Sequence, residues 1–284
     1  MRFEELRELI LSLDLGEPGS KDRPPRDNVR AVQNALAQAL EDEDFCLDII
    51  SLELEGALSA RQAPGRVAFV PPFHRIDERG IFFRLFYWPP GKDAPPHEHT
   101  SWTVTAVFHH ELTVTTYDWE TAVKEKKLQQ KNEFSAERGR AGHIYDNCIH
   151  RPSNPTERLA TSVHIFNTND GPMLEEICGG KVEGLADDMG PGRWPSEPVA
   201  FRRAVAANRQ RILLMHADML SRFRSERAQG LLRRVFESGD GLVKLVASMV
   251  MKPVDPVKSE AMFQELCAVE PEYRERAALV TLRS

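Results

Sequence analysis

The sequence predicts a mainly β body with helices before and after it. Three observations carry that expectation. Short runs rich in β-branched and aromatic residues recur between about residues 65 and 180, separated by Pro, Gly, Asn and Asp. Residues 1–60 place apolar side chains near a 3.6-residue period. A Gly/Pro-rich connector at residues 186–198 is followed by a return to that period. The 284 residues suffice for one large core, or one core and a smaller appended unit. The expected division is 1–185 for the β body with its N-terminal helices and 199–284 for a C-terminal helical extension.

The elements follow in order. "MRFEELRELILSLDLG" puts Leu6, Leu9, Ile10 and Leu13 on one helical face. It is acidic and lacks a basic segment before an apolar core, so it does not read as a secretory signal. "NVRAVQNALAQALEDEDF" spaces Val29, Val32, Leu36 and Leu40 for a second helix, with Asp27 as its expected N-cap. "RVAFV", "IFFRLFYW", "SWTVTAVF", "ELTVTTYDW" and "LATSVHIFN" read as strands of a mainly antiparallel body, a sandwich or a jelly-roll barrel. After "ADDMGPGRWPSEP", the stretch from Phe201 to Ser238 reads as helical. A break at "MKPVDPVKSE" then precedes a last helix containing Met262, Leu266 and Val269.

Composition narrows the function classes. No apolar run reaches the roughly 18 residues that span a bilayer. Cys46, Cys148, Cys178 and Cys267 are widely spread with no CxxC, which fits reduced thiols in a cytoplasmic protein. The net charge of −6 is asymmetric: from Pro191 onward 16 Lys+Arg face 11 Asp+Glu, a net of +5, leaving −11 for residues 1–190. That basic tail lacks aromatic interleaving and reads as a solvated helical face rather than a nucleic-acid surface.

The histidines are the sharpest signal. His97 and His99 stand two apart, just after Pro95 and Pro96. In an extended chain, side chains i and i+2 point the same way, about 7 Å apart along the backbone. The pair can therefore converge on one ion at a strand start, near a barrel mouth. Taken alone, it also fits two polar side chains on a strand. A third ligand from another strand decides between these, and "GHIYDNCIHRPSNP" offers His143 and His150. His150, at the end of an expected strand, is the better candidate, and His143 reads as surface. His109 and His110 are adjacent, so they are expected on opposite faces, outside the cluster.

"GKDAPPHEHTSW" followed by "VFHHELTVTTYDWE" resembles the first metal-binding motif of the cysteine dioxygenase family, within the cupin superfamily. "YDNCIHRPSNP" followed by "TSVHIF" resembles its second. The resemblance runs from the N-terminal helices to about residue 175 and does not cover the last hundred or so residues. It implies a cupin double-stranded β-helix, a jelly-roll barrel, holding one non-haem Fe(II) on His97, His99 and His150. It implies use of O₂ to oxidise a small thiol, cysteine-like or a mercapto acid, to a sulfinic acid. Many cupins carry a Glu ligand shortly after the HxH pair, where this chain has Thr103 and Val104. Three neutral imidazoles leave the ion's charge uncompensated, which suits a thiolate ligand.

The same resemblance implies further roles. Ser162 and His164 match the Ser-His part of a catalytic chain, with His164 placed to hold a bound substrate by hydrogen bond. Arg75 matches a substrate-carboxylate anchor, with Arg84 as its rival, because a guanidinium pairs bidentately with a carboxylate. Apart from the resemblance, Trp102 and Trp88 flank the motif: Trp102 is the candidate aromatic lining the substrate pocket, although a large aromatic near a strand end is more often core. Cys148 would share the face of His150. Two positions depart from the family: Phe166 stands where it has a tyrosine, and Val104 where some members have a cross-linking cysteine. Tyr117 and Tyr145 are the candidates to supply the missing hydroxyl. The alternatives are a metal-binding cupin with a different reaction and a non-enzymatic, ligand-sensing cupin. The C-terminal helices offer a surface for self-association or a partner.

Overall fold

The structure, a computed structural model, describes residues 1–17, 23–59, 73–94, 96–99, 101–119, 128–146, 148–167 and 198–275. The chain divides into two compact units. The first holds described residues 1–56 and 73–167, and the second holds 57–59, the end of the third helix, and 198–275. The expected boundary between 185 and 199, the expected strand "RVAFV" and Cys178 lie outside the described residues, apart from Pro198.

In the first unit, helices α1 (Phe3–Ser12), α2 (Arg26–Ala39) and α3 (Glu43–Ser59) precede the strands. The Glu5 carboxylate accepts the Arg2 backbone N–H at 2.9 Å, satisfying a donor at the start of α1. The N-cap of α2 is Pro25 rather than Asp27. Proline's missing N–H costs nothing at a helix start, and Asp27 sits in the first turn, where its charge complements the helix dipole.

Eight strands follow among the described residues: β1 (His74–Ile76), β2 (Ile81–Trp88), β3 (Thr103–His109), β4 (Glu111–Trp119), β5 (Leu128–Glu137), β6 (Ala141–Ile144), β7 (Ile149–Ser153) and β8 (Ala160–Asn167). They form a five-stranded sheet in the order β1-β2-β8-β3-β6 and a three-stranded sheet in the order β5-β4-β7. All of these pairings are antiparallel. Isolated bridges Asp93↔Ser153 and His97↔His150 tie the segment leading into β3 to β7. The expected antiparallel body is present; among the described strands, no ladder closes the two sheets into one barrel.

Register sorts the large sheet into two faces. On one, Ile81, Phe83, Leu85 and Tyr87 of β2, Val163 and Ile165 of β8, and Val104 and Ala106 of β3 are all buried. The N-terminal helices cover this face. The Phe3 ring of α1 meets Phe83 edge-on at 5.3 Å, and Tyr87 donates to Glu53 of α3 at 3.1 Å. Burying a side chain such as Phe83 contributes roughly 1.5–3 kcal/mol. The other face carries Phe82, Arg84 and Phe86 of β2 beside Phe166, His164 and Ser162 of β8. Across β8, those three meet Thr103, Thr105 and Val107 of β3.

His110 is a left-handed turn residue, φ 56°, between β3 and β4. That reversal brings the His109 and His110 rings to 4.1 Å, which corrects the expectation that they would point apart. Strand β5 is exposed along nearly its whole length and is held by its ladder to β4.

The second unit contains helices α4 (Pro198–Leu220), α5 (Glu226–Ser238), α6 (Gly241–Met251) and α7 (Pro256–Val269). The helical stretch expected from Phe201 to Ser238 is thus two helices. Ser225 breaks it, accepting the Ala228 N–H as the N-cap of α5. Asp240 and Asp255 cap α6 and α7 in the same way. Leu213, Val235, Phe236, Val243, Ala247, Met262 and Leu266 are buried, whereas Val269 is exposed, contrary to the helical pattern. No described helix is long and apolar enough to cross a membrane.

Candidate metal centre

The backbone brings the first two histidine-bearing segments together. His97 and His150 exchange both main-chain hydrogen bonds, N–H to O 2.8 Å in each direction. In such an antiparallel pair the two side chains leave the same face. His99, two residues on, points to that face too. The ring centroids lie 4.2 Å apart for His97 and His150, 5.2 Å for His97 and His99, and 5.1 Å for His99 and His150. One ligand atom from each of the three lies within 4.8 Å of the others.

Protonation suits ligation. His150 is buried, and burial, followed by the neighbouring His97 and His99, lowers its pKa to about 3. It is therefore neutral near pH 7. Its Nδ1 lies 3.1 Å from the Cys148 carbonyl, an acceptor only, so Nδ1 carries the proton and Nε2 keeps its lone pair. Orientation of a ligating imidazole by a backbone carbonyl is a recurrent feature of metal sites. Three converging imidazoles fit a borderline-soft divalent ion such as Fe, Zn, Cu or Ni.

An aromatic wall stands beside the triad. Phe166 lies 5.8 Å from His99, 5.2 Å from Phe82, and is stacked on His164 at 5.4 Å. Phe86 meets the His164 ring edge-on at 4.6 Å. His164 Nε2 lies 2.8 Å from Ser162 Oγ, and its Nδ1 lies 2.9 Å from Thr105 Oγ1. Burial, and then His99, His150, His97 and Arg84, hold its pKa well below the usual range. Protein hydroxyls occupy both ring nitrogens of His164, where the sequence led to the expectation of a direct substrate contact. Trp88 extends this set, its indole N–H donating to Ser162 Oγ at 2.8 Å.

The remaining candidates are distributed unevenly. Arg84 pairs across the ladder with His164, and its guanidinium lies 5.3 Å from the Phe82 ring centroid. Burial, and secondarily Arg75, lower its pKa. Arg75 pairs with Phe82 and so shares the face, but it sits at the exposed edge, with Nε 3.2 Å from Asp77. Trp102 spends its polar atom inside the protein. It is buried, and its indole N–H donates to the Leu15 carbonyl at 3.3 Å, so it belongs to the helix–sheet layer.

Neither candidate tyrosine replaces the hydroxyl missing at Phe166. Tyr145 donates to the Pro24 carbonyl, and the Arg26 guanidinium stacks on its ring at 4.7 Å. Tyr117 pairs with Ile149, one residue out of register with His150, and so faces the other way. His143 is engaged with Gln33 of α2. Cys148 is half-buried, and burial raises its thiol pKa.

Sequence reasoning missed Thr105 and underrated Trp88. A threonine within a β-branched run looks like any strand residue, and only the register with His164 reveals its partner.

Comparisons with solved structures give partial likenesses. A recombinant oxalate oxidase in complex with glycolate matches at 22% identity and a TM-score of 0.29, over 39% of this chain and 56% of its own. The chain thus spans little more than half the length of that relative. A cupin superfamily protein from Desulfitobacterium hafniense matches at 13% identity and a TM-score of 0.27, over 39% of this chain and 85% of its own. A putative sugar phosphate isomerase from Acidithiobacillus ferrooxidans matches at 16% identity and a TM-score of 0.24, over 31% and 49%. No family model and no curated protein matches the sequence.

Proposed function

We propose that this chain is a cupin-type enzyme that uses one Fe(II), held by His97, His99 and His150, to oxidise a small thiol with O₂ to a sulfinic acid. The observation that carries this is the convergence of three imidazole ligand atoms within 4.8 Å on an antiparallel β scaffold. The two motifs that resemble the cysteine dioxygenase family support iron over other imidazole-binding metals, and a thiol over other substrates. The reaction balances as R–SH + O₂ → R–SO₂H: both oxygen atoms go to sulfur, which is oxidised as O₂ is reduced. Bound iron would supply a Lewis-acidic, redox-active point where thiol and O₂ are held together.

The chain's own residues supply the rest. The Cys148 carbonyl fixes the His150 ring so that Nε2 faces the other two imidazoles. Phe82, Phe86 and Phe166 limit water beside the triad without offering a hydroxyl. Arg84, with Arg75 at the rim, places positive charge on the same face, which favours a mercapto acid over a neutral thiol.

Metal analysis of the purified protein, followed by O₂-uptake assays after Fe(II) loading, tests the proposal. Cysteine, 3-mercaptopropionate and cysteamine are the thiols to compare. Near-stoichiometric iron, thiol-dependent uptake and a sulfinate product are expected; failure to bind metal under any loading condition would overturn the proposal. A second reading, a metal-binding cupin with a different reaction, draws on the occupied ring nitrogens of His164. Bound metal without thiol-dependent O₂ uptake would select it.

A further inference from the structure

Four side chains on the inner face of the five-stranded sheet are linked in series. Trp88 Nε1 lies 2.8 Å from Ser162 Oγ, Ser162 Oγ lies 2.8 Å from His164 Nε2, and His164 Nδ1 lies 2.9 Å from Thr105 Oγ1. The direction of the series follows from what each group can do. An indole N–H only donates, so Ser162 Oγ accepts from Trp88. Ser162 is fully buried, and its hydroxyl has one proton to place. If His164 Nε2 also carried a proton, Ser162 would accept twice and its own O–H would be left without an acceptor. An unmade buried hydrogen bond costs about 1–3 kcal/mol. Ser162 therefore donates to Nε2, Nε2 is unprotonated, and the neutral ring carries its proton on Nδ1. Nδ1–H then donates to Thr105 Oγ1. Thr105 is part-exposed, and among the described residues its own O–H is the one proton of the series with no acceptor.

Thr105 is placed to use it. It pairs with His164 on the face shared by Phe166, whose ring lies 5.8 Å from His99. The His164 ring itself is clamped between Phe86 and Phe166, so it cannot swing out to offer either nitrogen.

We propose that Trp88, Ser162, His164 and Thr105 form a one-directional hydrogen-bond series, and that Thr105 Oγ1–H is the donor it presents to an anionic ligand at the three-histidine site. His164 is thus a positioning residue acting through Thr105. The ligand half of this inference rests on the three-histidine reading above, whereas the tautomer half does not.

The test has two arms on the full chain. Two-bond proton–nitrogen correlation of the metal-free protein, labelled with ¹⁵N-histidine, reads the tautomer of His164 directly; His164→Gln assigns the signal. The Nδ1–H tautomer is expected, and the Nε2–H tautomer would overturn the series. In the second arm, azide is titrated into Co(II)-loaded protein and followed by its visible absorption. Thr105→Val, which is nearly isosteric, is expected to weaken azide binding about tenfold, as befits loss of one hydrogen bond to a charged group. Thr105→Ser is expected to restore it, with Co(II) affinity unchanged in both variants. Equal azide affinity in wild type and Thr105→Val would overturn the donor role. Absence of Co(II) binding would overturn the three-histidine reading, and with it the ligand half, while the tautomer result would still decide the series.

Discussion

His97 and His150 are register partners: each main-chain N–H donates to the other's carbonyl at 2.8 Å, and their rings lie 4.2 Å apart. Two of the three candidate ligands are thus set by an isolated main-chain bridge rather than by side-chain packing. The bridge is made of main-chain atoms alone, so removing either imidazole should not dissolve it.

That gives the first prediction. His97→Ala and His150→Ala should each abolish metal binding while leaving the far-UV circular dichroism spectrum unchanged. Elemental analysis after Fe(II) loading is the check, and either variant that keeps stoichiometric iron is thereby removed from the ligand set.

Trp102 belongs to the layer between helices and sheet, where its indole N–H meets the Leu15 carbonyl. Trp102→Phe removes that donor and leaves space in a packed interior. It should cost about 1–3 kcal/mol in urea unfolding. Metal content should not change. A variant of wild-type stability with altered ligand affinity would return Trp102 to the pocket.

Arg84 lies opposite His164, whereas Arg75 sits at the rim with its charge shared with Asp77. Arg84→Met should raise the KM for a mercapto acid about tenfold or more and leave that for cysteamine, which lacks a carboxylate, nearly unchanged. Arg75→Ala should produce a smaller rise. Steady-state O₂ uptake with the two thiols distinguishes them; the opposite ranking would make Arg75 the anchor.

Glu53 predicts a pH dependence of stability. It is fully buried between α3 and β2, and burial raises its pKa to about 8 against the lowering influence of Tyr87 and Arg84. Between about pH 4.5, its ordinary value, and pH 8, the folded state holds a proton that the unfolded state has released. The slope of unfolding free energy with pH is therefore negative for this group. Its contribution is fully present below about pH 4.5 and is lost as pH rises through about 8. Glu53→Gln should flatten the decline and make the variant more stable than wild type at pH 8, on the order of a few kcal/mol. Thermal melts from pH 5 to 9 measure it, and parallel profiles for the two proteins would contradict the assignment.

The parts of the fold legible in sequence were those with strong periodicity. β2 and β8 alternate around β-branched and aromatic residues, and β3 and β4 carry enough Thr and Val to be recognised. β5, "LQQKNEFSAE", gave no sign: it buries almost nothing, so selection for a core left no pattern on it. For the site, the two-residue spacing of His97 and His99 is a local property, and His150 stood out at a strand end. The hydrogen-bonded series through His164 depends on register across three strands, which spacing along the chain does not encode. The hydrogen bonds that Trp102 and His164 make inside the protein were hidden for the same reason. Both residue types suited a pocket, but only the fold shows that their polar atoms are already taken.

β5 joins its sheet through its ladder to β4 and a few side-chain contacts, with Phe134 half-exposed and charged or amide side chains at most other positions. A strand of this kind separates surface chemistry from architecture. Apart from Leu128, Glu133, which accepts from buried Thr115, and Ala136, which packs on the core, its side chains can be rewritten for a fluorophore, a surface anchor or a change of sign in local charge. In this molecule, β5 is the natural handle.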